Sequence, residues 1–286
     1  MTLDQRALQQ WVGKSQREQD RITLAPLRSM NALLDREPDD IADGSPLPPL
    51  WHWLYFLPHA RQSELAEDGH PRRGNFLPPV PLPRRMWAGG RLEFHHQLQA
   101  GDKITRNSTI KHVEIKEGRS GQLAFVCVAH EISNAAGMAV YEEHDIVYRD
   151  KPPVSSTQPV SSSGKPAPAT CDYSKQYLAD PVLLFRYSAL TFNGHRIHYD
   201  REYVTREEGY PGLIVHGPLL ATLLVELFRE QQPDLSLRKF EFRALSPVFD
   251  GQPFTACGAK TGGDKTELWI ADHDNRLCML GTAEFG

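Results

Sequence analysis

Apolar and polar residues alternate in two separate stretches of the chain, 91–149 and 239–285. Alternation with a period of two is typical of strands that bury one face, and glycine-containing turns join such strands into antiparallel meanders. The pattern therefore predicts four strands in each stretch. Their bounds are 91–94, 104–115, 122–132 and 140–148 in the first stretch, and 239–242, 254–260, 267–272 and 278–285 in the second.

A buried helix is predicted between these two stretches. Apolar residues recur at steps of three and four from position 219 to 228, and the pattern ends before Pro233. Gly217 followed by Pro218 is the order expected where a helix begins. His216 and Gly217 therefore lie at the amino end of this helix, where backbone N–H groups lack helical partners and stabilise negative charge.

Another helix is predicted just before it in the chain. Residues 182–191 are mainly apolar and stop at Asn193–Gly194, a pair that favours turns. The polar residues that follow are on a connection, where catalytic side chains are often displayed. They include His195 and His198, so this connection is the candidate active site.

The first half of the chain lacks a comparable helical pattern near its strands. Residues 2–36 predict one or two helices interrupted at Ala25–Pro26, and prolines crowd residues 38–83. β-propensity and length predict a strand for the apolar run 50–57. The missing long helix leaves either an open groove or an extended loop packed on the sheet.

Residues 91–94 (Arg-Leu-Glu-Phe) and 239–242 (Lys-Phe-Glu-Phe) precede similar turns and indicate an internal duplication. Between the halves, residues 151–170 contain five prolines and five serines without periodicity, which is typical of a linker. Sheet edges left unpaired in each half favour side-by-side pairing and allow a homodimer. The predicted organisation is a first unit 1–150, a linker 151–172 and a second unit 173–286.

Composition and charge narrow the functional class. A chain of 286 residues suits two fused units, and its net charge of −4 gives no support for nucleic-acid binding. No apolar run approaches the roughly 20 residues of a membrane span. The four cysteines are far apart, which fits reduced thiols in an intracellular protein. We expect a cytoplasmic protein, or a mitochondrial one if the source is a eukaryote.

Three segments carry a family resemblance. They are 187–200, which reads YSALTFNGHRIHYD, 214–219, which reads IVHGPL, and 83–90, which reads PRRMWAGG. Together they resemble the MaoC-like (R)-specific enoyl-CoA hydratases, in particular the branch that holds mitochondrial 3-hydroxyacyl-thioester dehydratase type 2 and the mesaconyl-C4-CoA (3-methylfumaryl-CoA) and itaconyl-CoA hydratases. The resemblance implies an α+β double hotdog, in which antiparallel sheets each wrap a central helix, with that helix reduced or missing in the first unit.

The resemblance also implies a catalytic set. The family pattern Asp-x-Asn-Pro-x-His carries Asn193, His195 and His198 here, and an asparagine cannot take up a proton. His198 is then the principal acid/base, Asn193 orients the water, and His195 replaces part of the lost carboxylate function. The Gly217 N–H is the expected oxyanion donor. The spacing of His195, His198 and His216 fits no common zinc site, so we expect neither a metal nor a cofactor.

Basic and aromatic residues near these segments are candidates for substrate binding. Arginines can pair with CoA phosphates or with a second carboxylate on the acyl group, or they can form ordinary surface ion pairs. His216 can equally serve as a helix cap. The substrate-binding candidates are Arg84, Arg85, Arg186, Arg196, Tyr187 and His216.

The predicted function is reversible addition of water across the α,β double bond of a CoA thioester. By resemblance, the expected substrate is a five-carbon unsaturated dicarboxylyl-CoA, either mesaconyl-C4-CoA or itaconyl-CoA, which gives citramalyl-CoA. Three alternatives stay open: a straight-chain 3-hydroxyacyl-thioester dehydratase of fatty-acid synthesis, a hotdog thioesterase, and a non-catalytic acyl-CoA-binding protein.

Overall fold

Residues 3–118, 121–150 and 164–286 are described by the computed structural model, and their strands form one ten-stranded antiparallel sheet. The strands of the first half are β1 (Ser15–Arg21), β2 (Arg84–Phe94), β3 (Lys103–Gly118), β4 (Gly121–Asn134) and β5 (Gly137–Arg149). Those of the second half are β6 (Tyr173–Leu178), β7 (Leu237–Ala244), β8 (Pro253–Gly262), β9 (Lys265–Ala271) and β10 (Leu277–Phe285). Across the sheet the order is β1-β3-β4-β5-β2-β7-β10-β9-β8-β6.

The two halves meet where β2 pairs with β7, and one strand order repeats on either side of that junction. Leu92 of β2 lies opposite Phe240 of β7, and both side chains are buried. The similar tetrapeptides noted above therefore face each other, and the repeated order is what an internal duplication predicts. The unit bounds at 150 and 173 stay a prediction, and residues 151–163 of the predicted linker lie outside the described residues.

All eight strands predicted from alternation are confirmed, whereas the two edge strands, β1 and β6, are not predicted by it. β1 reads SQREQDR and contains no apolar residue, and it pairs along its length with β3. β6 pairs in the same way with β8 at the opposite edge. Main-chain hydrogen bonds hold these edge strands, so no apolar alternation is needed to form them.

Five α-helices occur in the described residues: α1 (Gln5–Gln9), α2 (Leu24–Leu33), α3 (Pro181–Leu190), α4 (Arg201–Arg206) and α5 (Gly217–Gln231). α3 and α5 confirm the two helices predicted in the second half. The predicted helix break at Ala25–Pro26 is wrong, because Pro26 lies in the first turn of α2, where a backbone N–H has no helical acceptor to lose. Among the described residues, no helix is long and apolar enough to cross a membrane.

The predicted strand at residues 50–57 is also wrong. Trp51–Leu54 form a 3-10 turn, which Leu50 enters with a left-handed φ of 70°. Trp51, Leu54 and Tyr55 are all buried in the core. Residues 50–52 and 54–56 are buried in succession, which fits a turn packed in the core, whereas a half-buried strand would bury alternate residues.

The inner faces of the two halves are filled differently. In the second half, α5 packs on the sheet and every residue from 219 to 228 is buried. In the first half, residues 34–83, all of them described, contain only 3-10 turns between α2 and β2. The predicted absence of a long helix there is confirmed. The proline-rich segment packs on the sheet instead, with Val80 and Leu82 buried.

Candidate active site

Four histidine rings form a continuous row where the two halves of the chain meet. His70 comes from the first half, whereas the other three belong to the connection between α3 and α5. The ring centroids are 4.1 Å apart from His70 to His195, 5.4 Å from His195 to His198, and 3.7 Å from His198 to His216. The structure therefore brings together the three histidines predicted from the sequence and adds a fourth.

His198 lies in a 3-10 turn, and its ring is held in one orientation. Its Nδ1 lies 2.7 Å from the carbonyl oxygen of Ile214. A carbonyl only accepts, so Nδ1 donates a proton and Nε2 keeps its lone pair. Burial lowers the pKa of His198 to about 4, with the Ile214 hydrogen bond opposing this shift. At neutral pH this imidazole is therefore an uncharged base.

His216 lies under His198 and supports it. The two rings stack with an interplanar angle of 19°. Nε2 of His216 is 2.8 Å from Oγ of Ser188, and the ring of Tyr187 meets it edge-on at 4.9 Å. Burial lowers the pKa of His216 well below its usual value, and the neighbouring His198 adds to that effect. Tyr187 is itself buried, so both predicted substrate contacts lie behind His198.

The amino end of α5 is open for a ligand. His216 occupies the N-cap position of α5 but makes no side-chain capping hydrogen bond. A Cβ added to Gly217 would meet nothing within 4 Å, so there is open space beside this residue. The Gly217 N–H has no acceptor among the described residues. A free amide next to open space can stabilise negative charge on a bound oxygen.

Asn193 and His195 form a local turn. Oδ1 of Asn193 accepts a hydrogen bond from the backbone N–H of His195 at 3.0 Å. This bond occupies the side-chain oxygen of Asn193 and leaves its amide NH₂ as a donor. His195 is buried, and its pKa is lowered well below the usual value by burial and by the neighbouring His70 and His198. It contributes a neutral ring between those two histidines.

The fourth histidine belongs to a turn that the sequence did not assign to the site. His70 donates through Nδ1 to Oδ2 of Asp68 at 3.0 Å, and Oδ1 accepts from the His70 backbone N–H at 3.0 Å. Burial raises the pKa of Asp68, but these hydrogen bonds outweigh it and lower the pKa below its usual value. The triplet Asp-Gly-His at 68–70 signals a turn, but nothing in it indicates where the turn docks.

Three of the four predicted arginines are committed elsewhere or exposed. Arg84 forms an ion pair with Glu208 at 2.7 Å, and both side chains are buried. Arg196 forms an ion pair with Asp200 at 2.7 Å. Arg186 is exposed on α3. None of these three positions places a free guanidinium against the row of histidines.

Arg85 is different. It is half-buried on β2, and it has no carboxylate within ion-pair distance in the described parts of the chain. After the effect of burial, its positive charge is the next cause of the lowered pKa of His70, which falls to about 4. It also lowers the pKa of His195. Arg85 is therefore a cation near the histidine row without a paired carboxylate among the described residues.

Among the described residues, two clusters could hold a metal ion. In the first, one ligand atom each of Asp68, His70 and His195 lies within 4.8 Å of the others. This differs from the set considered from spacing, which combined His195 and His198 with His216. The second cluster, Asp272–Asp274, lies on an exposed hairpin. The expected absence of a metal stays a prediction.

An open groove of about 520 Å³ lies beside the loop that follows α4. Its lining includes Arg201, Tyr210, His273 and Arg276. None of the predicted site residues lines it. The groove is therefore separate from the row of histidines, and the catalytic prediction does not depend on it.

Comparisons with known proteins agree with this picture. The profile of the family described as hydroxyacyl-thioester dehydratase type 2 matches residues 50–250. The chain is 46% identical over 277 residues to mesaconyl-C(4)-CoA hydratase of Chloroflexus aurantiacus, covering 96% of this chain and 97% of that one. It is 31% identical over 252 residues to mitochondrial hydroxyacyl-thioester dehydratase type 2 of Schizosaccharomyces pombe, covering 78% of this chain and 80% of that one.

Solved structures show the fold. A MaoC-like dehydratase from Phytophthora capsici superposes with a TM-score of 0.67 at 12% identity, covering 96% of this chain and 95% of that one. A Mycobacterium tuberculosis protein described as a double hotdog superposes with a TM-score of 0.58 at 13% identity, covering 96% of each chain. The predicted α+β double hotdog is confirmed.

Proposed function

The chain belongs to the hydroxyacyl-thioester dehydratase type 2 family and is a hydro-lyase, and we propose that it adds water reversibly across the α,β double bond of an enoyl-CoA thioester. The proposed substrate is a five-carbon dicarboxylyl-CoA, mesaconyl-C4-CoA, with citramalyl-CoA as product. The identity to a relative with that activity over nearly the whole of both chains supports this choice over itaconyl-CoA.

One observation carries the catalytic proposal. The lone pair on Nε2 of His198 and the free N–H of Gly217 belong to neighbouring groups, because His198 stacks at 3.7 Å on the residue that precedes Gly217. Hydration of an enoyl thioester needs a base near the β-carbon and a donor for the carbonyl oxygen, which gains negative charge. These two groups supply both.

The proposed reaction proceeds in two proton transfers. Water gives a proton to Nε2 of His198 while its oxygen bonds to the β-carbon, and the electron pair of the double bond moves toward the thioester carbonyl. The carbonyl oxygen accepts a hydrogen bond from Gly217, which stabilises the enolate. His198 then returns the proton to the α-carbon. The amide NH₂ of Asn193 orients the water, and His195 borders the same space.

Arg85 is proposed to bind the free carboxylate of the acyl group. It combines partial burial with the absence of a carboxylate within ion-pair distance among the described residues, and it lies close enough to lower the pKa of His195. A guanidinium favours a carboxylate in bidentate geometry. We therefore expect Arg85→Gln to raise KM for mesaconyl-C4-CoA much more than KM for crotonyl-CoA.

The test is a steady-state absorbance assay of His198→Ala on both thioesters. Loss of the base lowers kcat by about 10²- to 10⁴-fold with little change in KM. His112→Ala is the matched control, because His112 is an exposed histidine on β3. Activity of His198→Ala within about tenfold of the unchanged protein contradicts the assignment.

The same assay separates the alternative functions. A preference for crotonyl or longer thioesters over mesaconyl-C4-CoA favours a dehydratase of fatty-acid synthesis, which the family match also permits. Release of free thiol indicates a thioesterase, and binding without turnover indicates an acyl-CoA-binding protein. The homodimer stays a prediction, which sedimentation velocity checks.

A further inference from the structure

A carboxylate from the first half of the chain reaches the row of histidines. Asp68 uses both of its oxygens on His70, one for the backbone N–H and one for Nδ1–H, each at 3.0 Å. Because a carboxylate only accepts, His70 carries its proton on Nδ1 and presents Nε2 as an acceptor on the other side of the ring. In the second half, the His195 ring lies 4.1 Å from the His70 ring.

The turn that carries Asp68 is clamped onto the active-site connection. The backbone N–H of Arg196 donates to the carbonyl of Asp68 at 2.9 Å, and Nη1 of Arg196 reaches the carbonyl of Glu67 at 3.2 Å. Gly69 has a φ of +88°, and a Cβ there would lie 1.8 Å from the carbonyl oxygen of Gly194. Two glycines thus permit backbone contact between the turn and the connection.

This contact brings a carboxylate to the row of histidines, where the connection carries an amide at position 193. Position 193, two residues before His195, carries an amide, and that amide cannot compensate a positive charge on an imidazole. The ligand atoms of Asp68, His70 and His195 lie within 4.8 Å of one another, a separation that one water molecule can bridge. A positive charge on the row of histidines therefore interacts electrostatically with Asp68, which is hydrogen-bonded to His70.

We propose that Asp68 and His70 are positioning residues of the hydration site, which orient His195 and compensate the positive charge that develops when His198 takes a proton from water. The proposal rests on the proposed function. The negative charge that the family motif places in the active-site connection comes here from a turn of the other half of the chain. Neither residue touches the substrate in this arrangement.

Other charged groups face the same row and set the sign of the effect. Arg85 and Arg73 oppose protonation of His70, while Asp68 favours it. His195 has His70 and His198 as direct neighbours, and Arg85 and His216 beyond them. Because two cations already disfavour an imidazolium here, removing the charge of Asp68 makes protonation of the row harder.

The experiment compares Asp68→Asn with Glu67→Gln. Both changes remove one negative charge from the same turn, but the side chain of Glu67 is exposed. An asparagine at 68 presents NH₂ to Nδ1 of His70 and selects the other tautomer, so we expect kcat to fall about 10- to 100-fold with little change in KM. The acid limb of the kcat profile should also move to lower pH. Glu67→Gln should change neither, and Asp68→Glu should restore part of kcat.

Several results overturn this assignment. Wild-type kcat and an unmoved acid limb in Asp68→Asn, with only a lower melting temperature, would show a purely structural turn. Activity lost on dialysis against a chelator and restored by zinc would make Asp68, His70 and His195 metal ligands. The proposed function fails separately: if the unchanged protein hydrates no enoyl-CoA thioester, the hydratase assignment is wrong, whereas an inactive His198→Ala beside a fully active Asp68→Asn removes only the positioning role.

Discussion

The two halves of the sheet have the same strand order, but different segments pack on their inner faces. In the second half, α5 fills the inner face and is buried from 219 to 228. In the first half, the same face is covered by the Trp51–Leu54 turn and a proline-rich segment, and it buries polar side chains such as Glu142 and His52, which bond at 3.0 Å. The same strand order is therefore covered by a helix in one half and by turns and an extended segment in the other.

This difference explains why the candidate site lies at the seam between the halves. The longest helix among the described residues, α5, lies in the second half, and a helix leaves unpartnered amides at its amino end. A segment without regular structure can instead project turns, and the first half projects Asp68 and His70 onto the connection before α5. In the proposed mechanism, the helix stabilises negative charge on the thioester, and the turn compensates positive charge on the histidines.

The largest expected effect is acid destabilisation of both halves. Burial lowers the pKa of His130 to about 4 and of His144 to about 3 in the first half, and that of His198 to about 4 in the second. In the unfolded state these histidines have a pKa of about 6.5, so they bind protons there at a higher pH than in the folded state. Their contribution to stability is therefore complete above that pH and is lost as the pH falls toward 4. Each group costs up to about 1.4 kcal/mol per pH unit.

Urea unfolding between pH 8 and pH 5 measures this loss. His130→Gln and His198→Gln should each flatten the pH dependence, one from each half, while His112→Gln should not. An unfolding free energy that stays constant or rises on acidification would contradict the neutral state assigned to these rings.

The next effect concerns the buried contacts that Glu226 of α5 makes with the Trp51–Leu54 turn and with neighbouring arginines. Glu226 on α5 is buried, accepts from Nε1 of Trp51 at 2.9 Å, and forms ion pairs with Arg36 and Arg229. Glu226→Ala leaves these donors without their carboxylate and should cost about 3–5 kcal/mol. Glu230→Ala, one turn further on, removes two more exposed ion pairs, with Arg36 and Lys175, and should cost no more than about 1 kcal/mol. If urea denaturation gives similar losses of unfolding free energy for the two variants, Glu226 does not stabilise the contact between the halves.

A third prediction concerns the turn that contains Asp68 and His70, and it disrupts the contact of this turn with the active-site connection. Gly69 and Gly13 both have a left-handed φ, but a Cβ at Gly13 meets nothing within 4 Å. Alanine at either position costs roughly 1–2 kcal/mol of backbone strain. Gly69→Ala must also displace the turn from Gly194, so we expect kcat/KM to fall about 100-fold. Equal kcat/KM in the two variants would mean that docking of the turn is irrelevant to activity.

The smallest prediction concerns the second half alone. Alanine at Gly217 fills the open space beside the free amide without the strain of a left-handed φ. Stability should be unchanged or slightly higher, while kcat/KM should fall by about tenfold or more as the carbonyl oxygen is pushed from the donor. Full activity of Gly217→Ala, with thermal melting as the folding control, would count against the oxyanion role.

The sequence predicted the parts that depend on local periodicity. α5 and the eight inner strands have apolar patterns that only one element type satisfies. β1 has no apolar residue, so it was missed, and the aromatic residues of Trp51–Leu54 suggested a strand because propensity does not register a turn pressed into a core. Asp68 and His70 could not be predicted, because their role depends on a contact with residues more than 120 positions away.

The central claim is that one thioester meets His198 and Gly217 together. The most direct measurement is a crystal structure with a saturated, unreactive analogue of the acyl-CoA. We expect its carbonyl oxygen about 2.7–3.1 Å from the Gly217 nitrogen, with the β-carbon facing Nε2 of His198. An analogue bound in the groove beside Tyr210, or with its β-carbon turned away from His198, would contradict the account.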